Sequence, residues 1–128
     1  MTSSNAEMEA TLAALNAASE SIRAACHAGH SAPASPDSLY DRAGVLVEVL
    51  DRLRQVAFTL GNHAERAATE AAASGYVLET DDGTPASDYT YDARRLLAAV
   101  AAGIGETTRI ASEAHNLLSH LKLAEPPQ

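Results

Sequence analysis

The sequence predicts an all-α fold: an elongated up-down bundle of three long helices, the second and third forming an antiparallel coiled-coil-like hairpin. Three observations predict it. Alanine, the strongest helix former, makes up about a fifth of the chain. Aromatic residues, which favour strands, are confined to Phe58, Tyr40, Tyr76, Tyr89 and Tyr91, and there is no Trp. Apolar or small residues recur at alternating spacings of four and three along three separate stretches, which places each set on one helix face.

The first helix is expected over residues 4–28. Ser4 and Glu7 have the S-x-x-E spacing of a capping box, in which each side chain satisfies an orphan backbone N–H. Met8, Leu12, Leu15, Ser19, Ile22 and Cys26 form its stripe, and Gly29 supplies a stop. Residues 29–35, with Pro33, read as a linker.

The second helix is expected over 36–74. Ser35 is a good N-cap, Pro36 suits the first helical position and Asp37 complements the helix dipole. Its stripe is Leu39, Ala43, Leu46, Leu50, Leu53, Ala57, Leu60, Ala64, Ala67 and Ala71. Val45, Val49 and Val56 widen that face, so the helix is expected to meet more than one neighbour. Gly75 closes it by adopting the left-handed conformation.

Residues 75–87 read as a polar loop. Asp81-Asp82-Gly83 could tip a β-hairpin, but an isolated two-stranded hairpin is marginal in water, so strands are not expected. The third helix is expected over 88–122, capped by Ser87 or Asp88. Its stripe is Ala93, Leu97, Val100, Ile104, Thr107, Ala111, Ala114, Leu118 and Leu121. Residues 123–128, with Pro126-Pro127, form a loose tail. Folded about the loop, the hairpin sets Gly61 near Ala101 and Ala57 near Gly105. An alternative breaks the second helix at Gly61, where Leu60-Gly61-Asn62 followed by Glu65 fits an end and a new cap, making four helices. The 128 residues fit a single domain.

Charge and composition narrow the function classes. A net charge of −8, with no basic run longer than Arg94-Arg95, argues against a nucleic-acid partner. Cys26 is the only cysteine, so neither an internal disulfide nor a thiolate-rich metal site is available. Residues 1–9 lack the basic and apolar regions of a signal peptide, and no stretch approaches the roughly 18 apolar residues of a membrane span. A cytoplasmic location is expected. Lys122 is the only lysine, which together with the alanine content points to the coding bias of a GC-rich bacterial genome.

Candidate chemistry is sparse. Di-metal bundles use Glu-x-x-His pairs, and none occurs here. Glu113 and His115, like His63 and Glu65, are two apart and face different ways. Cys26, His27 and His30 cluster near the end of the first helix, where His favours the dipole. Glu79, Asp81 and Asp82 lack the ligand spacing of an EF-hand. Gly103-Ile104-Gly105 lies in a helical pattern without the strand a nucleotide-binding loop needs. No metal, cofactor or small-molecule ligand is therefore expected.

The segment from Arg109 to His115 resembles the Arg-x(4–6)-His motif of HEPN-type ribonucleases, which are small helical bundles. That resemblance implies an RNA-cleaving or toxin-system component, with His115 as acid/base and Arg109 stabilising phosphorane charge at a dimer cleft. Arg23 and His30 also fit the Arg-x(4–6)-His range, and Ile110 stands where a polar residue often follows the Arg. The two long antiparallel helices also look like the small secreted hairpins of the WXG type, though the Trp-x-Gly turn is missing. An accessory protein of a phage, plasmid or secretion locus, binding one partner, is a third alternative. The expectation the residues favour is a non-enzymatic interaction module that self-associates as a homodimer. Its contacts would come from Val45, Val49 and Val56, with Leu12, Leu15 and Ile22 on the first helix.

Overall fold

The computed structural model describes residues 2–31 and 33–124, with the side chains of 2–5, 8, 30 and 31 left out of account. Three helices follow one another: α1 (Thr2–Ser31), α2 (Pro36–Ala73) and α3 (Ala86–Leu118). No strand occurs among the described residues. The chain divides into two units, Met1–Ala34 and Ser35–Gln128.

In the first unit, α1 begins before Ser4 and runs past Gly29. Ser4 is therefore inside the helix and not its cap, and its side chain falls outside the described set, as does that of Met8. Gly29 does not stop the helix because it keeps right-handed geometry; the positive-φ glycines are Gly75 and Gly83. A helical glycine costs only about 1 kcal/mol relative to alanine, which the flanking turns absorb.

In the second unit, α2 and α3 pack together. The start of α2 is as expected: Pro36 opens the helix and the Ser35 hydroxyl accepts the Ser38 amide at 3.2 Å. Its end is a Schellman arrangement. Gly75 takes φ 81°, its amide donates to the Ala72 carbonyl at 3.0 Å, and the Tyr76 amide donates to Ala71 at 2.8 Å. No break occurs at Gly61, nor at Gly103 or Gly105 in α3. Gly61 is buried because α3 passes close to it: a Cβ there would lie 3.4 Å from the Leu97 Cβ and 3.5 Å from the Arg94 carbonyl oxygen. It is a contact point between helices and not a stop.

α3 starts before the expected caps, so Ser87 and Asp88 lie in its first turn, where Asp88 still favours the dipole. Residue 85, a proline, provides the cap position without a side-chain hydrogen bond. The helix ends at Leu118, which leaves Leu121 of the expected stripe outside it. The register also differs from the expected one by about one turn. Gly61 meets Leu97 and Arg94, not Ala101, and Gly105 meets the Arg54 side chain at 3.5 Å, not Ala57. Arg94 and Glu65 form an ion pair across the helices at 2.7 Å, in keeping with that register.

Between the helices the chain forms a tied turn. The Thr84 amide donates to Asp82 Oδ1 at 3.0 Å, the Thr80 hydroxyl donates to the Thr84 carbonyl at 2.6 Å, and the Tyr89 hydroxyl donates to Asp82 Oδ2. Gly83 supplies the positive φ of the tip.

Candidate functional site

The Arg109–His115 motif is divided by helical geometry. Six residues on one helix differ by roughly 240° in azimuth, so the two side chains leave α3 in different directions. Arg109 is held by its own helix: Nη2 and Nε bind Glu106 at 2.6 and 3.3 Å, and Nη1 binds Glu113 at 2.6 Å. These contacts hold the Glu106 carboxyl below its usual range and raise the guanidinium through Glu106 first and Glu113 second. His115 instead turns toward α2. Its ring stacks on Tyr40, with centroids 4.1 Å apart, and lies 3.0 Å from where a Gly44 Cβ would stand. Within this chain the pair does not converge on one cleft.

The other polar candidates are also placed. Cys26 and His27 are exposed on α1, and the His30 side chain lies outside the described set. No group of three or more His, Cys, Asp or Glu that could hold a metal exists among the described residues. Asp82 of the acidic tip has its pKa lowered by the Tyr89 hydroxyl first and by the Thr84 amide second, so its ligating oxygens are used within the turn. No described helix is long and apolar enough to cross a membrane.

What stands out is apolar surface. The buried apolar residues of the hairpin are Ala57 and Ala101; no larger side chain is buried among the described residues. The leucines of the α2 stripe, Leu39, Leu46, Leu53 and Leu60, are exposed. The positions that turn toward α3 are instead small or half-buried: Ala43, Gly44, Val47, Leu50, Ala57 and Gly61. Of the expected contact residues, Val45, Val56, Leu12, Leu15 and Ile22 are exposed and Val49 is half-buried. On α3, Leu96, Val100 and Ile110 are exposed as well, and the sequence reading had not singled them out as contacts. The signal for the α2 row was present: Leu39, Leu46, Leu53 and Leu60 recur every seven residues beside the three valines, a band wider than one helix can cover.

The two sides of the hairpin differ. Arg54, Gln55, Phe58 and Thr59 from α2 and Ala98, Ala101 and Ala102 from α3 line one recess of about 570 Å³. At about 100° per residue, Gln55, Phe58, Thr59, Ala98 and Ala102 all lie in the same rotational sense from the line of contact on their helix. Leu46, Leu53 and Leu60, and Leu96 and Val100, lie in the opposite sense. They therefore share the other side of the hairpin, whereas Ile110 falls on the outer edge of α3, about 180° from Ala101. Comparison with known proteins adds nothing to this picture: no family model, curated protein or solved structure matches the chain.

Proposed function

We propose that the protein is a non-enzymatic helical interaction module that self-associates through apolar helix faces. One observation carries this reading: α2 and α3 pair without burying any side chain larger than alanine. A domain is normally two packed layers around a shared core, and a leucine or valine moved fully out of water contributes about 1.5–3 kcal/mol. Two helices that leave the leucine row of α2 and Leu96 and Val100 of α3 in water lack that core, and isologous pairing is the commonest way for a chain to supply it. The closure of Arg109 by Glu106 and Glu113, and the packing of His115 on Tyr40, support the non-catalytic half of the reading. The cytoplasm is the compartment assigned, since the exposed thiol of Cys26 suits a reducing environment.

Sedimentation equilibrium of the whole chain is the test. A mass of twice 13.3 kDa at micromolar concentration is expected, and a clean monomer would end the reading. Ribonuclease activity that disappears in His115→Ala would overturn the non-enzymatic half.

A further inference from the structure

We propose that the second copy docks on one particular side of the α2–α3 hairpin, the side carrying Leu46, Leu53 and Leu60 with Leu96 and Val100, and that the two hairpins stack face to face as four helices. This rests on the self-association reading above and adds the surface and its occupant.

Three observations point to this side and to a second copy. The first is area. Helices α2 and α3 run side by side for about 50 Å, and two helices together are about 20 Å wide, so each flat side offers roughly 1,000 Å². A stable interface needs about 800 Å² from each partner, which one side of this hairpin meets without help from elsewhere in the chain.

The second is the distribution of charge. Helical spacing puts Arg42 and Glu70 in the row of Val49 and Val56 on the leucine side, with Arg52 and Asp92 toward its outer edges, and the remaining charges of the hairpin lie elsewhere. Asp51, Arg66, Arg95, Arg109 and Glu113 fall on the recess side or the outer edges. Two copies of a chain with net charge −8 repel one another overall. They can approach closely only through a face from which those charges point away, and the leucine side is that face.

The third is shape. The leucine row of α2 repeats every seven residues, the period at which side chains of one helix fit between those of another. The recess side offers a hollow lined by Phe58, Ala98, Ala101 and Ala102. A two-fold axis normal to the leucine row brings like rows together, so one surface serves both partners. The half-buried Leu50, Leu97 and Ile104 then become the centre of the four-helix core.

The test compares charge insertion on three surfaces of the full-length chain, using light scattering to read mass and circular dichroism to read helix content. Leu53→Glu with Val100→Glu should raise the dimer dissociation constant by about a hundredfold or more, because both charges would be desolvated at the centre of the contact. Phe58→Glu with Ala98→Glu on the recess side, and Leu15→Glu with Ile22→Glu on α1, should leave it within about threefold. If the dimer survives the first pair and dissociates with either of the others, self-association stands and the assignment of this side is overturned. A parent chain that is monomeric up to about 100 µM removes both. Should the first pair lose helix content, nitroxide labels in a Cys26→Ser background decide instead. A label at Val100→Cys should broaden as concentration rises and one at Ala102→Cys should not; the reverse pattern overturns the proposal.

Discussion

At the scale of single residues, the turn between α2 and α3 is organised around one carboxylate. Asp82 accepts from the Thr84 amide and from the Tyr89 hydroxyl, which links the loop tip to the first turn of α3. Both bonds favour the charged form, and the Tyr89 bond lowers the pKa most from its ordinary 3.8. The direction of the pH effect follows. A carboxyl whose folded pKa is depressed contributes stability at pH values above 3.8 and loses it as pH falls through the lower folded value. Tyr89→Phe removes the larger cause, so the Asp82 midpoint in a carbon-detected NMR titration should move up toward 3.8. A midpoint that stays put would mean the Thr84 amide alone sets it. The Asp81-Asp82-Gly83 tip was readable as a turn from its residue types. Its tie to Tyr89 was not, because seven residues of separation across a helix start leave no pattern in the chain.

At the scale of elements, the three helices and the start and stop of α2 were legible, since Ser35, Pro36 and Gly75 are local chemistry acting on adjacent backbone. The ends of α1 and α3 were less so. No side chain caps α3, so its start depends on where the loop lets the chain enter. Gly61 illustrates the ambiguity of glycine in a helical pattern. It can end a helix or admit a neighbour, and only the partner's position distinguishes them. The contact distances make the second role testable. Gly61→Ala places a Cβ at ordinary contact distance from Leu97, so the gain in helix propensity dominates and the variant should be more stable by about 0.5–1 kcal/mol. Gly61→Leu must push α3 away from α2 and should destabilise by about 1–3 kcal/mol. Urea unfolding of both variants gives the two signs; if Gly61→Leu proves as stable as Gly61→Ala, α3 does not approach there.

At the scale of the whole molecule, periodicity told which residues were apolar faces but not which of them would be covered. The expected stripe held Ala43, Leu50 and Ala57 together with Leu46, Leu53 and Leu60; the structure gives the seam to the first three with Val47 and Gly61 and leaves the other three leucines outside. Small residues win the seam because they let two long helices approach closely along their length, and the larger side chains are then rotated to a flank. A fold that keeps its leucines on a flank couples its stability to whatever covers them, and this coupling is measurable without knowing the interface. If the folded state is a dimer and the unfolded state is not, each tenfold dilution removes about 1.4 kcal/mol of apparent stability. For an assembly of this size that lowers the unfolding midpoint by about 2–4 °C per tenfold dilution. Thermal unfolding followed by circular dichroism from about 1 to 100 µM should therefore span about 4–8 °C in Tm, and the Leu53→Glu, Val100→Glu variant should lose the dependence along with the higher midpoint. A Tm that does not change over that range would mean the hairpin is stable with its leucine row in water.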